Sequence, residues 1–274
     1  MTVELGVILF KAAFLVYLAA TICYVAYLVK ENKAVGQAAT YILVAGWLLH
    51  TASLVVRTDA AHRPPFLNLY EYTLSVTWGA VLVYMILERV TKSKGYGAFS
   101  VPLITFFVLL ATRLLETEVN PTMPALNSAW RVPHVATAIL AYSAFAIAFG
   151  MAIMYLIQER SEGKQTFWTT RIPPLKTLDQ VIYRMIALGF LMQTALVITG
   201  AIWAQFAWGS YWSWDPKETW SLITWLIYAA YLHTRVTMGW RGHKSAIMVA
   251  IGFIAMLFTL LGVNLLLPGL HSYA

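Results

Sequence analysis

The chain has 274 residues, of which 60% are hydrophobic and only 11% are charged, and its mean hydropathy is +0.68. This composition excludes a soluble globular protein and indicates an integral membrane protein. The formal net charge of +7 does not call for a nucleic-acid partner, because membrane proteins concentrate Lys and Arg in their cytoplasmic loops.

Eight apolar segments follow one another along the chain, each about long enough to cross roughly 30 Å of hydrocarbon as a helix. They cover residues 5–29, 38–56, 70–87, 98–115, 134–157, 181–206, 219–238 and 245–267. The sequence therefore predicts an all-α integral membrane protein, a bundle of about eight transmembrane helices in which residues 1–274 form one domain. The first segment has no small-residue cleavage pattern, so we interpret it as a retained span.

The basic residues predict how the bundle is oriented. With an even number of spans, both termini lie on one side, and 13 of the 19 Lys and Arg residues fall on the opposite side. Cytoplasmic loops carry an excess of Lys and Arg. Both termini are therefore predicted to be extracytoplasmic, in a cytoplasmic or thylakoid-type membrane.

The cysteine count limits covalent chemistry. Cys23 is the only cysteine, and it lies inside the first predicted span. The chain can form no internal disulfide and has no Cys-x-x-Cys-His motif for covalent haem attachment. Cys23 is predicted to take part in packing.

Six of the eleven tryptophans lie between Trp203 and Trp225. Trp208, Trp212 and Trp214 crowd into one outward-facing connection, predicted at about 203–220. An aromatic belt at the membrane surface is the simpler explanation, but a belt is spread among many helices. The crowding favours flat aromatic walls around a large planar ligand such as haem.

The run Asp215-Pro-Lys-Glu218 predicts the start of a helix. Asp is a favoured N-cap, Pro suits the first helical position, and Glu at the third position completes a capping box. A helix start there would also turn backbone N–H groups and a positive dipole end outward. Our hypothesis is that the Asp215 region holds haem propionates in this way.

The run Trp208-Gly-x-x-Trp-x-Trp-Asp215 resembles the WWD signature of haem-handling proteins. Its extension to Trp220, followed by Tyr231-Leu-His-Thr-Arg235, resembles the CcsA family in particular. Members of this family, also called ResC, are subunits of the System II cytochrome c synthase. The likeness extends over nearly the whole chain, with Asn68-Leu-Tyr-Glu71 near the start and Leu270-His-Ser-Tyr273 at the end.

The resemblance implies a transient, non-covalent haem b site on the outer face, with two axial histidines beside the Trp-rich loop. His134 and His271 match these two positions, and His233 matches a further histidine on the path of haem through the membrane. Trp208, Trp212, Trp214 and Asp215 complete the implied binding set. On the residues alone, His134 and His271 are equally typical of interfacial positions, whereas an ionisable residue inside a span, such as His233, usually marks a pathway.

The function implied by the resemblance is delivery of haem to the extracytoplasmic face and its presentation for covalent attachment to the Cys-x-x-Cys-His motif of apocytochrome c. It leaves open whether this chain itself forms the thioether bonds as part of a holocytochrome c synthase. The implied partners are a CcsB/ResB-like membrane subunit with a large extracytoplasmic domain, apocytochrome c and proteins of a thiol-reducing pathway.

Two alternatives remain open at the level of sequence. The chain is also compatible with a haem exporter that performs no attachment, or with a b-type electron-transfer protein, which would pair histidines at matched depths on facing helices. His50 and His62 are left out of the predicted ligand set.

Four polar residues lie near the loop before the third predicted span. Arg57 and Arg63 are candidates for binding propionates, whereas Asn68 and Glu71 are predicted to order the loop, as polar groups at a helix start commonly do.

Overall fold

The computed structural model describes residues 2–115, 117–119 and 128–269, and in these ranges the chain forms helices and turns without a β-strand. His271 lies outside the described residues. The helices, in chain order, are α1 Val3–Lys30, α2 Lys33–Ala61, α3 Leu69–Thr91, α4 Gly97–Leu114, α5 Arg131–Glu159, α6 Phe167–Arg171, α7 Leu175–Trp208, α8 Pro216–Thr237, α9 His243–Leu257 and α10 Val263–Leu266. A π-helical turn, Phe258–Gly262, joins α9 to α10 without a break.

A long helix lies at each of the eight predicted spans, which confirms the helical membrane bundle. Within the described ranges, six helices are long and apolar enough to cross a membrane by length and composition, namely α1, α2, α3, α5, α7 and the helix from α9 to α10. Helix α4 is apolar but shorter. Helix α8 has 22 residues but is not among the six, because its Trp, Tyr, Thr and Ser residues lower its hydropathy.

Local caps set where the helices begin and end. The side chains of Thr2 and Asn32 accept hydrogen bonds from the first turns of α1 and α2, and Asn68 accepts one from Glu71 N at 2.8 Å at the start of α3. Gly209 ends α7 with φ 78, a conformation that glycine adopts without steric cost. These caps satisfy backbone groups that a helix terminus otherwise leaves unpaired.

Helix α5 lies at the centre of the bundle, where it packs against α3, α4, α7 and α9. Its buried surface contains many small residues, which let neighbouring helices approach closely. They are Ala138, Ala141, Ala144, Ala146, Ala148, Gly150 and Ala152. Two of its aromatic rings stack on other helices, Phe145 on Tyr228 at 3.9 Å and Phe149 on Phe253 at 4.2 Å between centroids. Helix α5 is therefore held in place by packing against several neighbouring helices.

Ion pairs join the helix ends on the side predicted to be cytoplasmic. They are Glu31–Arg171, Glu88–Lys94, Glu159–His243 and Asp179–Arg235. The last is bidentate, with N–O distances of 2.9 and 2.6 Å. Charged side chains therefore gather at this end, away from the middle of the spans, as expected when charge inside hydrocarbon is costly.

At the opposite end, one fully buried carboxylate organises the connection between α2 and α3. Glu71 accepts hydrogen bonds from Arg57 Nε at 3.0 Å and from Arg63 Nη1 at 2.7 Å. It also accepts one from the backbone N–H of Leu67 at 2.8 Å. The prediction that Asn68 and Glu71 order this loop is confirmed.

The remaining donors of Arg57 are also used inside the protein. Its Nη1 and Nη2 donate to the carbonyls of Thr117 and Glu118 at 2.9 and 3.0 Å, and its guanidinium lies over the ring of Tyr70. The interpretation of Arg57 as a propionate ligand is therefore wrong. Arg63 is likewise paired with Glu71, so both arginines tie loops together.

We expect Glu71→Gln to lower the free energy of unfolding by about 3 to 5 kcal/mol, because it leaves two buried guanidinium groups without their carboxylate. Glu118→Gln is the control, since its exposed side chain lies in the same loop region. Thermal unfolding in detergent measures the difference. Equal melting temperatures for the two variants would contradict this role of Glu71.

Candidate functional site

His134 lies in the first turn of α5, and the helix packed beside it fixes its ring. Its Nδ1 is 3.1 Å from the carbonyl oxygen of Leu196 on α7, and its ring lies 5.4 Å from that of Trp203. A carbonyl oxygen can only accept a hydrogen bond, so Nδ1 carries the proton. In the neutral imidazole, Nε2 then holds the lone pair that a metal ligand needs.

Gly200 makes room for the His134 ring. A Cβ atom added at Gly200 would lie 2.7 Å from Cε1 and 3.0 Å from Nδ1 of His134, closer than normal contact. Leu196, Gly200 and Trp203 follow one another at intervals of four and three residues, so they share one face of α7. The imidazole of His134 packs against this face of α7.

The Trp-rich connection is shorter than its predicted range of about 203–220. Trp203 and Trp208 belong to the last turns of α7, with their rings 6.4 Å apart, and only residues 209–215 are outside helices. Trp212 and Trp214 meet at 5.7 Å with perpendicular rings. Trp214 has φ 59 and is 69% exposed, so it points outward from the protein.

The predicted capping box at Asp215 is confirmed. Asp215 Oδ1 accepts from Lys217 N at 2.9 Å, and Glu218 accepts from Ser213 N at 2.8 Å and Asp215 N at 3.2 Å. The hypothesis that backbone N–H groups at this helix start are available to propionates is wrong. Pro216 has no N–H, and the next two N–H groups already bond to Asp215.

A cleft opens between the outer ends of α3, α5, α7, α8 and α10. It contains about 1020 Å³ of empty space, part of which is open solvent. Its walls include His134, Trp203, Trp208, Tyr211, Trp212 and Lys217. The structure thus brings together His134, Trp208 and Trp212 of the predicted site, whereas Trp214 and Asp215 do not line the cleft.

His233 lies far from this cleft. It is roughly 25 Å along α8 from Pro216 and its side chain is exposed. It shares an outward-facing stripe with Leu226, Ala230 and Thr237. The general rule that ionisable residues inside spans face the protein interior does not hold for His233 within this chain.

His50 is fully buried between α1 and α2. Its Nδ1 is 3.2 Å from the hydroxyl of Tyr17, and its ring packs on Phe10 at 4.9 Å. It does not line the cleft. This position agrees with its omission from the predicted ligand set.

The cleft includes functional candidates that sequence reasoning missed. Trp203 and Gly200 position His134, and Lys217 Nζ donates to Asn264 Oδ1 on α10 at 3.2 Å. Asn264 carried a usable signal, because an amide inside a long apolar segment is costly unless it is hydrogen-bonded. Gly200 carried no such signal, since glycine is common in membrane helices.

A bundle of apolar helices with an aromatic cleft at one end defines an integral membrane protein of the helical-bundle class. The sequence profile of the cytochrome c assembly protein family matches residues 66–271. The chain belongs to this family. The match confirms the resemblance on which the sequence-based expectations rest.

Similar proteins include three called cytochrome c biogenesis protein CcsA. The one from Pyropia yezoensis is 38% identical over 263 residues, covering 81% of this chain and 82% of that protein. The one from Guillardia theta is 41% identical, covering 76% of each. The one from Prochlorococcus marinus strain NATL2A is 37% identical, covering 86% of this chain and 84% of that protein.

The fold is also similar to a solved structure, cytochrome c haem lyase CcmF, with a TM-score of 0.72 and 17% identity. The similarity covers 95% of this chain but only 47% of that one. At this identity the likeness concerns the fold.

We expect Glu218→Ala to loosen the connection between α7 and α8, at a cost of about 1 kcal/mol, because two backbone N–H groups lose their acceptor. Hydrogen exchange of the amides of Ser213 and Asp215 should become faster. Glu218→Gln keeps an acceptor oxygen and should exchange nearly as slowly as wild type. Unchanged exchange in Glu218→Ala would argue against the capping box as the element that orders this connection.

Proposed function

We propose that this protein binds haem in the cleft through His134 and presents it at the outer membrane face for covalent attachment to apocytochrome c. The observation that carries the proposal is the imidazole of His134 on the wall of the cleft, held by a hydrogen bond from its Nδ1 to Leu196 O and set beside the ring of Trp203. Membership in the cytochrome c assembly family gives this geometry its context.

The chemistry of the residues that line the cleft supports haem as the ligand. Trp203, Trp208 and Trp212 offer flat apolar surfaces for a porphyrin ring. A neutral imidazole whose other nitrogen is hydrogen-bonded is a common ligand of haem iron. Trp203 Nε1 is buried without a hydrogen-bond partner among the described residues. A ligand that supplies an acceptor would remove the free-energy cost of burying this unpaired N–H group.

The second axial ligand is assigned to His271 from the resemblance. Gly269, two residues earlier in the sequence, packs closely against the Asp215 carboxylate of the Trp-rich connection. The last described residue therefore lies beside the Trp-rich connection.

Each part of the cleft has a defined task in this proposal. When bound, haem supplies iron for axial ligation and two vinyl groups to which cysteine thiols add. His134 fixes the iron, and the tryptophan walls hold the ring and exclude water. Tyr211 and Trp214, 61% and 69% exposed, form an aromatic rim on which the Cys-x-x-Cys-His segment of apocytochrome c docks. Much of the acceleration of thioether formation would then come from holding the thiols and the vinyl groups close together in the right orientation.

The exposed stripe of α8 is assigned to a membrane partner. An ionisable side chain facing hydrocarbon is costly, so His233 is expected to be covered by a second membrane protein in the working complex. The resemblance implies a CcsB/ResB-like subunit with a large extracytoplasmic domain. In this arrangement His233 receives haem within the membrane, and the cleft presents it roughly 25 Å further outward.

We expect His134→Ala to lower covalent cytochrome c formation by at least about tenfold, because the iron loses a positioned ligand. The measurement is haem-stained cytochrome c from cells that carry this protein and its partner, with haem in the purified protein quantified alongside. His62→Ala is the control, since His62 is exposed and does not line the cleft.

The two readouts separate the possible functions. Loss of attached haem in His134→Ala with normal output from His62→Ala supports presentation at the cleft. Normal cytochrome c formation in His134→Ala contradicts the proposal. If the purified wild type contains haem but cells without this protein still form covalent cytochrome c at a normal level, the protein does not act in attachment, as expected of an exporter.

We expect Gly200→Ala to weaken haem binding by about tenfold and to shift the absorption bands, because the new methyl group displaces the His134 ring. Gly150→Ala is the matched control. A Cβ at Gly150 meets its nearest atoms at 3.6 Å, which is ordinary contact. Identical spectra for both variants would show that the packing of His134 on α7 does not control ligation.

A further inference from the structure

Lys217 places a positive charge on one wall of the cleft. Of the described residues that line the cleft, it is the only Lys or Arg. Its Nζ donates to Asn264 Oδ1 at 3.2 Å and lies 6.0 Å from the centre of the Tyr72 ring. The amide nitrogen of Asn264 donates to Leu260 O at 2.8 Å, which keeps the amide oxygen turned toward Lys217.

The nearby acids leave this ammonium without a direct ion pair among the residues that the structure describes. Glu218 turns back to accept from Ser213 and Asp215. Burial lowers the pKa of the Lys217 amine to about 8, and the nearby Asp215 carboxylate acts in the opposite direction. Asp215 Oδ1 itself accepts from the backbone N–H of Lys217. The direct contacts of the Lys217 ammonium are therefore a hydrogen bond to one neutral amide oxygen and an interaction with an aromatic ring. An ammonium group retains capacity for further acceptors in this arrangement, because it has three donors.

We propose that Lys217 binds a carboxylate of the bound porphyrin and so makes the cleft selective for ligands with ionised propionate groups. This inference rests on the proposed function and deepens it. The backbone N–H groups of Lys217 and Glu218 already bond to Asp215. Among the described residues of α8 and α10 that line the cleft, Lys217 is therefore the positively charged donor for an anion. A hydrogen bond between two charged groups is among the strongest polar contacts in proteins.

The position of Lys217 also fixes the orientation of the ligand. His134 lies on the α5 and α7 side of the cleft, whereas Lys217 and Asn264 lie on the α8 and α10 side. A propionate held by Lys217 turns its edge of the porphyrin toward α8 and α10.

The test compares two ligands within each protein. The full-length chain, purified in detergent, is titrated with haem and with haem dimethyl ester, in which both propionates are uncharged. Wild type should bind haem about tenfold or more tightly than the ester. Lys217→Met should lose this preference while keeping the absorption bands of histidine-bound haem, and Lys217→Arg should restore it. Lys11→Met, which removes an exposed charge on α1, should keep the full preference.

The outcomes distinguish this inference from the proposed function. Because the ratio is measured within each variant, a general loss of affinity in Lys217→Met does not imitate the result. If Lys217→Met prefers haem over its ester as strongly as wild type does, the carboxylate is bound elsewhere and the inference is overturned. If wild type binds neither porphyrin, the proposed function fails and this inference fails with it.

Discussion

The absence of water from the hydrocarbon region is the constraint on which this structure depends. Every backbone N–H and C=O in that region must pair inside the chain, so the spans are helices and the polar chemistry is pushed to their ends. Glu71 forms ion pairs with two arginines at one end of the bundle, and Asp179 pairs with Arg235 at the other end. A ligand site with polar groups is therefore most readily built where helices end and connect.

The cleft follows from this constraint because it combines rigid helix ends with one short connection. His134 begins the most enclosed helix, and α7 supplies the carbonyl, the glycine and the tryptophan that hold its ring. In the connection between α7 and α8, only residues 209–215 lie outside helices, and the capping box restrains them. The aromatic surface is thus presented on a scaffold that has little freedom to move, as a site that must orient a ligand requires.

The sequence was sufficient to predict the bundle of apolar helices, the capping box at Asp215 and the meeting of His134 with Trp208 and Trp212, since each depends on local pattern or on topology. It did not predict that Gly200 admits the His134 ring or that Lys217 reaches Asn264, because both depend on the rotation of one helix against another. Hydropathy also does not show which side of a helix or loop faces outward. The exposure of His233 and Trp214 therefore could not be predicted from it. The carboxylate partner of Arg57 and Arg63 was likewise decided by tertiary packing.

The most direct test of the central claim is the absorption spectrum of the purified protein, oxidised and reduced, with its haem quantified. The account predicts bound haem with histidine ligation in the wild type, and loss or alteration of those bands in His134→Ala. If the wild type, produced with adequate haem and with its membrane partner, contains no haem, or if His134→Ala gives the same spectrum and haem content, the cleft is not the haem site.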